Sequence, residues 1–322
     1  MRKKRLYRLL FCLVLITFTS FFIGRYQQNT PFNLFGSNNL FKQLFLQLRI
    51  PRVLTALLIG SGLALAGLVT QIIFQNPLAD GGLLGVSQAA GFGAALGILI
   101  FKSNPVWIQL FAFSFGVFAL LISILISGKV RGNKILSLIL AGIAVSAVFS
   151  AGLGILKYLA DPVDQLPTIV YWLLGSLAGS TWPVLLRTFV IIFPVMVFFW
   201  FYRWRLNLHA MDKEVAYSLG LQKKFELWLN LVASVLLTSS IISISGVVGW
   251  IGLIIPNYAR MIAGSDTSNS IPVTILLGGI FAIVCDDLAR ALLPGEIPLG
   301  IFTALLGSLL FIGLLLKKEN IA

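Results

Sequence analysis

The chain has 322 residues, of which 58% are hydrophobic and only 11% charged, and its mean hydropathy is +0.96. Soluble domains carry about 25% charged residues, so this composition excludes a cytosolic globular enzyme, a disordered chain and a nucleic-acid binder recognised by charge alone. The formal charge of +13 takes its meaning from position: the basic residues lie between apolar runs, as membrane topology signals do.

A bilayer core of about 30 Å needs roughly 20 apolar residues per helix, because each backbone amide must be satisfied inside its own segment. The first such run, 6–24, follows Arg2, Lys3, Lys4, Arg5 and Arg8, but no small-residue cleavage site comes after it, so residues 1–24 read as a retained helix. Arg49 and Arg52 flank Pro51 just before the second run, 53–74, which carries Gly60, Gly62, Ala64, Ala66 and Gly67. The next runs are 83–101, with Gly91, Gly93 and Gly97; 106–127; 135–158, with Gly142 and Ser146; and 183–202. After the loop 203–226 come 227–245, then 247–263, which is short and contains Pro256, then 271–289, and last 297–316 with Gly300, Ala304 and Gly307. The 247–263 run reads as a span, with a re-entrant segment as the alternative. Ten spans in a single domain, 1–322, follow. Small residues three to four apart predict close helix packing, and a weak similarity between 62–79 and 246–264 hints at an internal repeat.

Ten spans place both termini on one side. With the N-terminal charges held inside, two thirds of the basic residues fall on that side, as the positive-inside rule requires. Arg25, Lys42, Arg49, Arg52, Lys102, Lys157, Arg187 and Arg290 fall outside. The two cysteines, Cys12 and Cys285, are far apart in apolar stretches and indicate neither a disulfide framework nor a metal site.

Phosphate-loop, zinc-protease and nucleophile-elbow motifs are absent, and no Cys/His ligand spacing occurs, so the sequence points away from an enzyme and implies no cofactor and no metal. His209, the sole histidine, is expected as a solvated side chain in a basic loop. The acidic residues fall in loops or near span ends, none near a predicted midplane, whereas ion-coupled carriers place ionisable groups inside the membrane. Energy for active transport then comes from a separate subunit on the inside face.

The loop 203–226 is the longest inside connection. Within it, 210–219 predicts a short helix, with Asp212 at its start and Gly220 as the glycine that ends it. Its apolar stripe, Met211, Val215, Ala216 and Leu219, either lies on the protein's own helices or fits a groove in a cytosolic partner. Arg49, Arg52 and Arg290 oppose the topology rule: they read either as snorkelling flank residues or as a docking surface for an acidic soluble partner.

Five ordered blocks, RIPRVLTALLIGSGLALAGLVTQIIFQNPLADGGLLGVSQAAGFGAALGI (49–98), KYLADPVDQLPTIVYWLLGSLAGSTW (157–182), MDKEVAYSLGL (211–221), SGVVGWIGLIIPNYARMIAGSD (245–266) and EIPLGIFTALLGSLLF (296–311), resemble the FecCD-type permeases, membrane subunits of bacterial ABC importers for iron-siderophores, haem and cobalamin. The resemblance implies an all-α membrane protein of about ten transmembrane helices with the type II ABC importer permease fold, in the bacterial inner membrane, with both termini cytoplasmic. Its implied partners are a second permease subunit, a cytosolic ABC ATPase dimer, and a periplasmic or lipid-anchored binding protein; no nucleic acid is implied. It places binding-protein docking on Arg49, Arg52 and Arg290, ATPase coupling on Asp212, Glu214, Ala216, Leu219 and Gly220, and a cytoplasmic exit turn on Asn76, Pro77, Leu78 and Ala79. Ferric siderophore is the implied cargo, with cobalamin, haem or molybdate/tungstate as alternatives; an ion-coupled secondary transporter is the reading from another class. The chain departs from the family pattern where P-H-x-x-R becomes Pro256-Asn257-Tyr258-Ala259-Arg260 and where G-x-D-H-R becomes Gly264-Ser265-Asp266-Thr267-Ser268.

Overall fold

The computed structural model describes residues 3–24, 39–102, 104–211, 213–220, 223–293 and 295–319, and among them there is no β-strand. In chain order the helices are α1 (Lys3–Ser20), α2 (Asn39–Leu44), α3 (Ile50–Ile73), α4 (Val86–Phe101), α5 (Pro105–Lys129), α6 (Lys134–Leu159), α7 (Gln165–Leu173), α8 (Trp182–Leu206), α9 (Lys213–Ser218), α10 (Lys223–Ser245), α11 (Ile251–Ala263), α12 (Thr267–Ala291) and α13 (Leu299–Glu319). Each predicted run coincides with one of these. Seven are long and apolar enough to cross a membrane, α2 and α3 fusing through a π turn into one helix, Lys42–Ile73; α4 and α11 are shorter. The 18 residues of α1 begin with Lys3, Lys4, Arg5 and Arg8, which suit a membrane boundary rather than its interior.

The starts of several helices follow from local chemistry. Asn104, Asn133 and Asp266 each accept a hydrogen bond from the backbone N–H two residues on, which caps α5, α6 and α12. Pro105 then occupies the first turn of α5, where its missing N–H costs nothing. α11 is too short to span alone, at 13 residues and about 1.5 Å each. The link before it, from Gly246 (φ +70°) to Trp250 (φ +72°), continues its path in non-helical backbone. Such backbone is tolerated at membrane depth only inside protein, and here it packs against the segment after α7: the Ser176 N–H donates to the Ser245 carbonyl at 2.8 Å. α2 and α7 are additions to the ten predicted spans.

α3 is the hub. Its apolar window is 83% buried, against 33% for α5 and α6 and 22% for α8 and α13. That depth needs small residues, since lipid supplies no hydrophobic force between helices. A Cβ on Gly60 would lie 2.2 Å from the Gly278 carbonyl oxygen of α12, and one on Gly67 would lie 2.0 Å from the Gly252 carbonyl oxygen of α11. The Ser61 hydroxyl adds a bond to the Ile275 carbonyl at 2.9 Å. α3 and α12 thus form one antiparallel, backbone-to-backbone pair, and the segments with the weak internal similarity meet at Gly67 and Gly252.

Candidate functional site at the two ends of the α3–α12 pair

α3 begins and α12 ends at the same place, which brings Arg52, Asp286, Asp287 and Arg290 together. Arg52 Nε donates to both Asp286 oxygens, at 3.0 and 3.2 Å, and Nη2 donates to Oδ1 at 2.9 Å. Its remaining arm, Nη1, reaches Glu296 at 2.8 Å. Arg290 donates to Asp287, to the Ser20 carbonyl at 2.8 Å and to the Ser20 hydroxyl at 2.7 Å, while its Nε faces Asp286 at 3.5 Å. The last carbonyl of α1 is therefore capped by a cation, as its helix dipole favours. Arg49 donates to the Phe21 carbonyl at 3.5 Å. Asp286 is 1% exposed, Arg290 7% and Glu296 42%, so the network grades from buried to open. Beside it lies a cavity of about 310 Å³ bordered by Arg49, Arg52, Arg290, Ser180 and Glu296.

The structure thus brings the three predicted arginines together and adds three carboxylates that sequence reasoning noted only as span-end acids. Asp286 and Asp287 stand four and three residues before Arg290, a spacing that marks a helix-face ion pair. Arg52 is 234 residues from Asp286 in sequence, and no local signal joins them.

At the other end of the pair the chain leaves α3 through the turn at Asn76, Pro77, Leu78 and Ala79. Asn76 Oδ1 accepts from the Leu78 N–H at 2.9 Å, and the Asn76 carbonyl accepts from the Ala79 N–H at 3.1 Å, an arrangement for which Asn is suited. Ala79 is buried and Leu78 exposed. Asn257 of α11 donates to the Pro77 carbonyl at 3.0 Å, and Arg260 bonds Gln71 and Asn257. Asn257, one of the departures from the family pattern, therefore holds the turn itself.

The loop after α8 meets the same end. Asn207 donates to Asp266 at 2.8 Å and accepts from the Thr267 N–H and hydroxyl, tying the loop to the first turn of α12. The bond from Asn207 holds the Asp266 carboxyl below the usual carboxylate range. His209 is buried, 4% exposed, with Nε2 3.3 Å from Asn230 Nδ2; its carbonyl accepts from Gln75 at 3.0 Å. The expectation of a solvated histidine is corrected, because the loop folds back onto α3 and α10 instead of extending into water. α9 forms inside the predicted helix 210–219. Gly220 ends it with φ +82°, which costs glycine nothing. Ala216 is buried, whereas Leu219 is exposed, as are Glu214 and Gly220; Asp212 lies outside the described residues.

A helical bundle with seven helices long and apolar enough to cross a membrane among the described residues, a close-packed central pair and a polar assembly at each end is the architecture of a multi-pass membrane protein. A family model described as the FecCD transport family matches residues 12–317, and the chain belongs to that family. It is 38% identical to the molybdate import system permease protein MolB of Haemophilus influenzae over 98% of this chain and 96% of that one. It is 36% identical to a protein of Helicobacter pylori named as an iron chelatin transport system permease, over 86% and 84% of the two chains. A solved structure described as an inward-facing conformation of a metal-chelate type ABC transporter superimposes with a TM-score of 0.90 at 38% identity, covering 98% of this chain and 99% of that one. The chain is thus a multi-pass ABC importer permease.

Proposed function

We propose that the chain is one of two permease subunits of a binding-protein-dependent importer in the bacterial cytoplasmic membrane, with ferric siderophore as cargo. The observation that carries the reading is the α3–α12 pair, a buried, backbone-to-backbone element with a polar assembly at each end. Arg49, Arg52 and Arg290 form the outward end that receives the binding protein, with Arg290 buried behind the other two. A carboxylate of that partner takes the outward arm of Arg52 in place of Glu296, a rim contact that exchanges at small cost. The other end is cytoplasmic: α9, with Asp212, Glu214, Ala216, Leu219 and Gly220, receives the ATPase dimer, and the turn at Asn76, Pro77, Leu78 and Ala79 borders the exit. The exposed apolar faces of α5, α6, α8 and α13 are left to lipid and to the second permease. Closure of the ATPases moves the helices as rigid bodies and opens the path to alternate sides.

The iron chelatin relative supports the cargo. Molybdate is the second reading, favoured by a molybdate permease that aligns over 98% of the chain. The deciding experiment is uptake into proteoliposomes holding permease, ATPase and binding protein, with radioactive iron as siderophore or radioactive molybdate outside. ATP-dependent iron accumulation is expected; molybdate accumulation alone moves the assignment to the second reading, and iron uptake without the ATPase sinks the importer reading in favour of an ion-coupled carrier. Reversing charge at Arg49, which lies beside the ion-pair cluster, is expected to weaken capture of the binding protein without the loss of fold that reversal at Arg52 or Arg290 brings, and unchanged capture refutes its docking role. Labelling of a Tyr217→Cys variant from the outer face of intact cells refutes the orientation.

A further inference from the structure

We infer that Arg205 is the positioning residue that fastens α9 to the bundle, so that a push on α9 is delivered to α8 and α10 together. The inference rests on the reading that α9 meets the ATPase. A six-residue helix has no stability of its own, since isolated helices need about 12–15 residues, and its position is set by whatever holds it. Among the described residues two attachments reach it from the bundle. Ala216 packs on Leu208, each 1% exposed, and the Gly220 carbonyl accepts from Arg205 Nη2 at 3.2 Å. Described side chains on and just after the helix stand open, with Tyr217 80% exposed and Val215 and Leu219 both at 49%.

The guanidinium of Arg205 also pairs with the buried Glu226 in the first turn of α10, which accepts from the Tyr202 hydroxyl as well. One planar fork therefore touches the end of α9 and the start of α10 from the last turn of α8. Arginine suits this place because its donors are fixed in a plane, whereas a lysine ammonium presents one point charge. The neighbouring bonds hold the bundle without reaching α9: Asn230 of α10 against His209, just after α8, and Asn207 on Asp266 and Thr267. Removing the fork leaves α9 held by the Ala216–Leu208 contact alone, while α8 stays tied to α10 and α12. A cavity of about 320 Å³, bordered by Tyr202, Arg205, Gly220, Phe225, Glu226 and Leu229, lies beside the fork.

The test uses the complete importer in proteoliposomes, with Arg205→Gln and Arg205→Lys, and reads cargo moved per ATP hydrolysed. Arg205→Gln is expected to lower that ratio about tenfold, the scale of a modest coupling energy, while the ATPase still co-purifies; Arg205→Lys, which reaches Glu226 but not both partners, falls between. An unchanged ratio overturns the inference. So does loss of membrane insertion or of ATPase co-purification in both variants, which makes Arg205 part of the scaffold. Val215→Asp and Tyr217→Asp on the exposed face of α9 test the underlying reading separately: if the ATPase co-purifies with both, α9 is not its contact, whatever Arg205 does.

Discussion

Where α3 starts and α12 ends, two arginines are closed by three carboxylates and a helix-end carbonyl, with Arg49 beside them. At the opposite end the same pair is tied mostly by amides, hydroxyls and backbone carbonyls, with Asp266 and Arg260 as charged members bonded to neutral partners and, among the described residues, one ion pair, Arg205–Glu226, set to one side. The two chemistries yield differently. A buried charge cluster is satisfied only as a whole, because each desolvated ion depends on the others. Neutral hydrogen bonds contribute about 1 kcal/mol apiece and exchange with water one at a time. The first end therefore behaves as a clasp and the second as an adjustable joint.

Removing one member of the clasp is the harshest test of that contrast. Asp286→Ala leaves Arg52 with Glu296 alone and removes a charge partner of Arg290, and breaking a buried pair in this way costs about 3–5 kcal/mol. We expect a large fall in the unfolding midpoint in detergent, or loss of folded protein. Asn207→Ala at the joint is expected to cost about 1–2 kcal/mol. Equal losses for the two variants refute the distinction between the ends.

The middle of the pair comes next. Gly60→Ala drives a methyl against the Gly278 carbonyl, and we expect a destabilisation of about 1–3 kcal/mol, as for other overpacked contacts. Gly179→Ala, which meets open space, serves as the control in the same thermal measurement. A silent Gly60→Ala means the helices part readily and the pair is not stiff.

A gentler change sharpens the clasp end. Glu296 is a rim residue, so Glu296→Gln is expected to leave stability within about 1 kcal/mol. By freeing the outward arm of Arg52, it is expected to tighten capture of the binding protein by up to about fivefold, the equivalent of 1 kcal/mol. Weaker capture, read by surface plasmon resonance on permease in nanodiscs, shows instead that Glu296 belongs to the docking surface as a partner in its own right.

What the amino-acid sequence disclosed depended on whether the physics was local. Apolar runs report burial in lipid residue by residue, which is why each coincides with a helix. The small residues at Gly60 and Gly67 announced close contact, though not with which helix. α2 and α7 went unseen because short helices at a bundle's edge carry no long apolar run. At the site, the arginines stood out by violating the topology rule, but the carboxylates that neutralise them did not, since Asp286 and Asp287 look like ordinary end-of-span acids until α3 is laid beside them. His209 misled for the same reason: its neighbours in sequence are basic and polar, while its neighbours in space are Asn230 and the end of α3.

The smallest effect concerns an exposed carboxylate of the joint. Asp266 caps α12 through Ser268 at 2.9 Å and takes bonds from Asn207 and from Asn269; these favour the ionised form and lower its pKa in the folded protein. A carboxyl depressed by folding contributes stability above its unfolded value, near 3.8, and loses it as pH falls through the lower folded value. At neutral pH, Asp266→Asn keeps the cap but loses the charge at the helix start, for about 0.3–1 kcal/mol, toward the low end because the group is open to solvent. We expect the gap between wild type and variant to hold from pH 7 down to the ordinary carboxylate range and then to close on further acidification. A gap that persists in acid assigns the contribution to the shape of the cap, and the bond from Asn207 then holds the loop on α12 as firmly without the charge as with it.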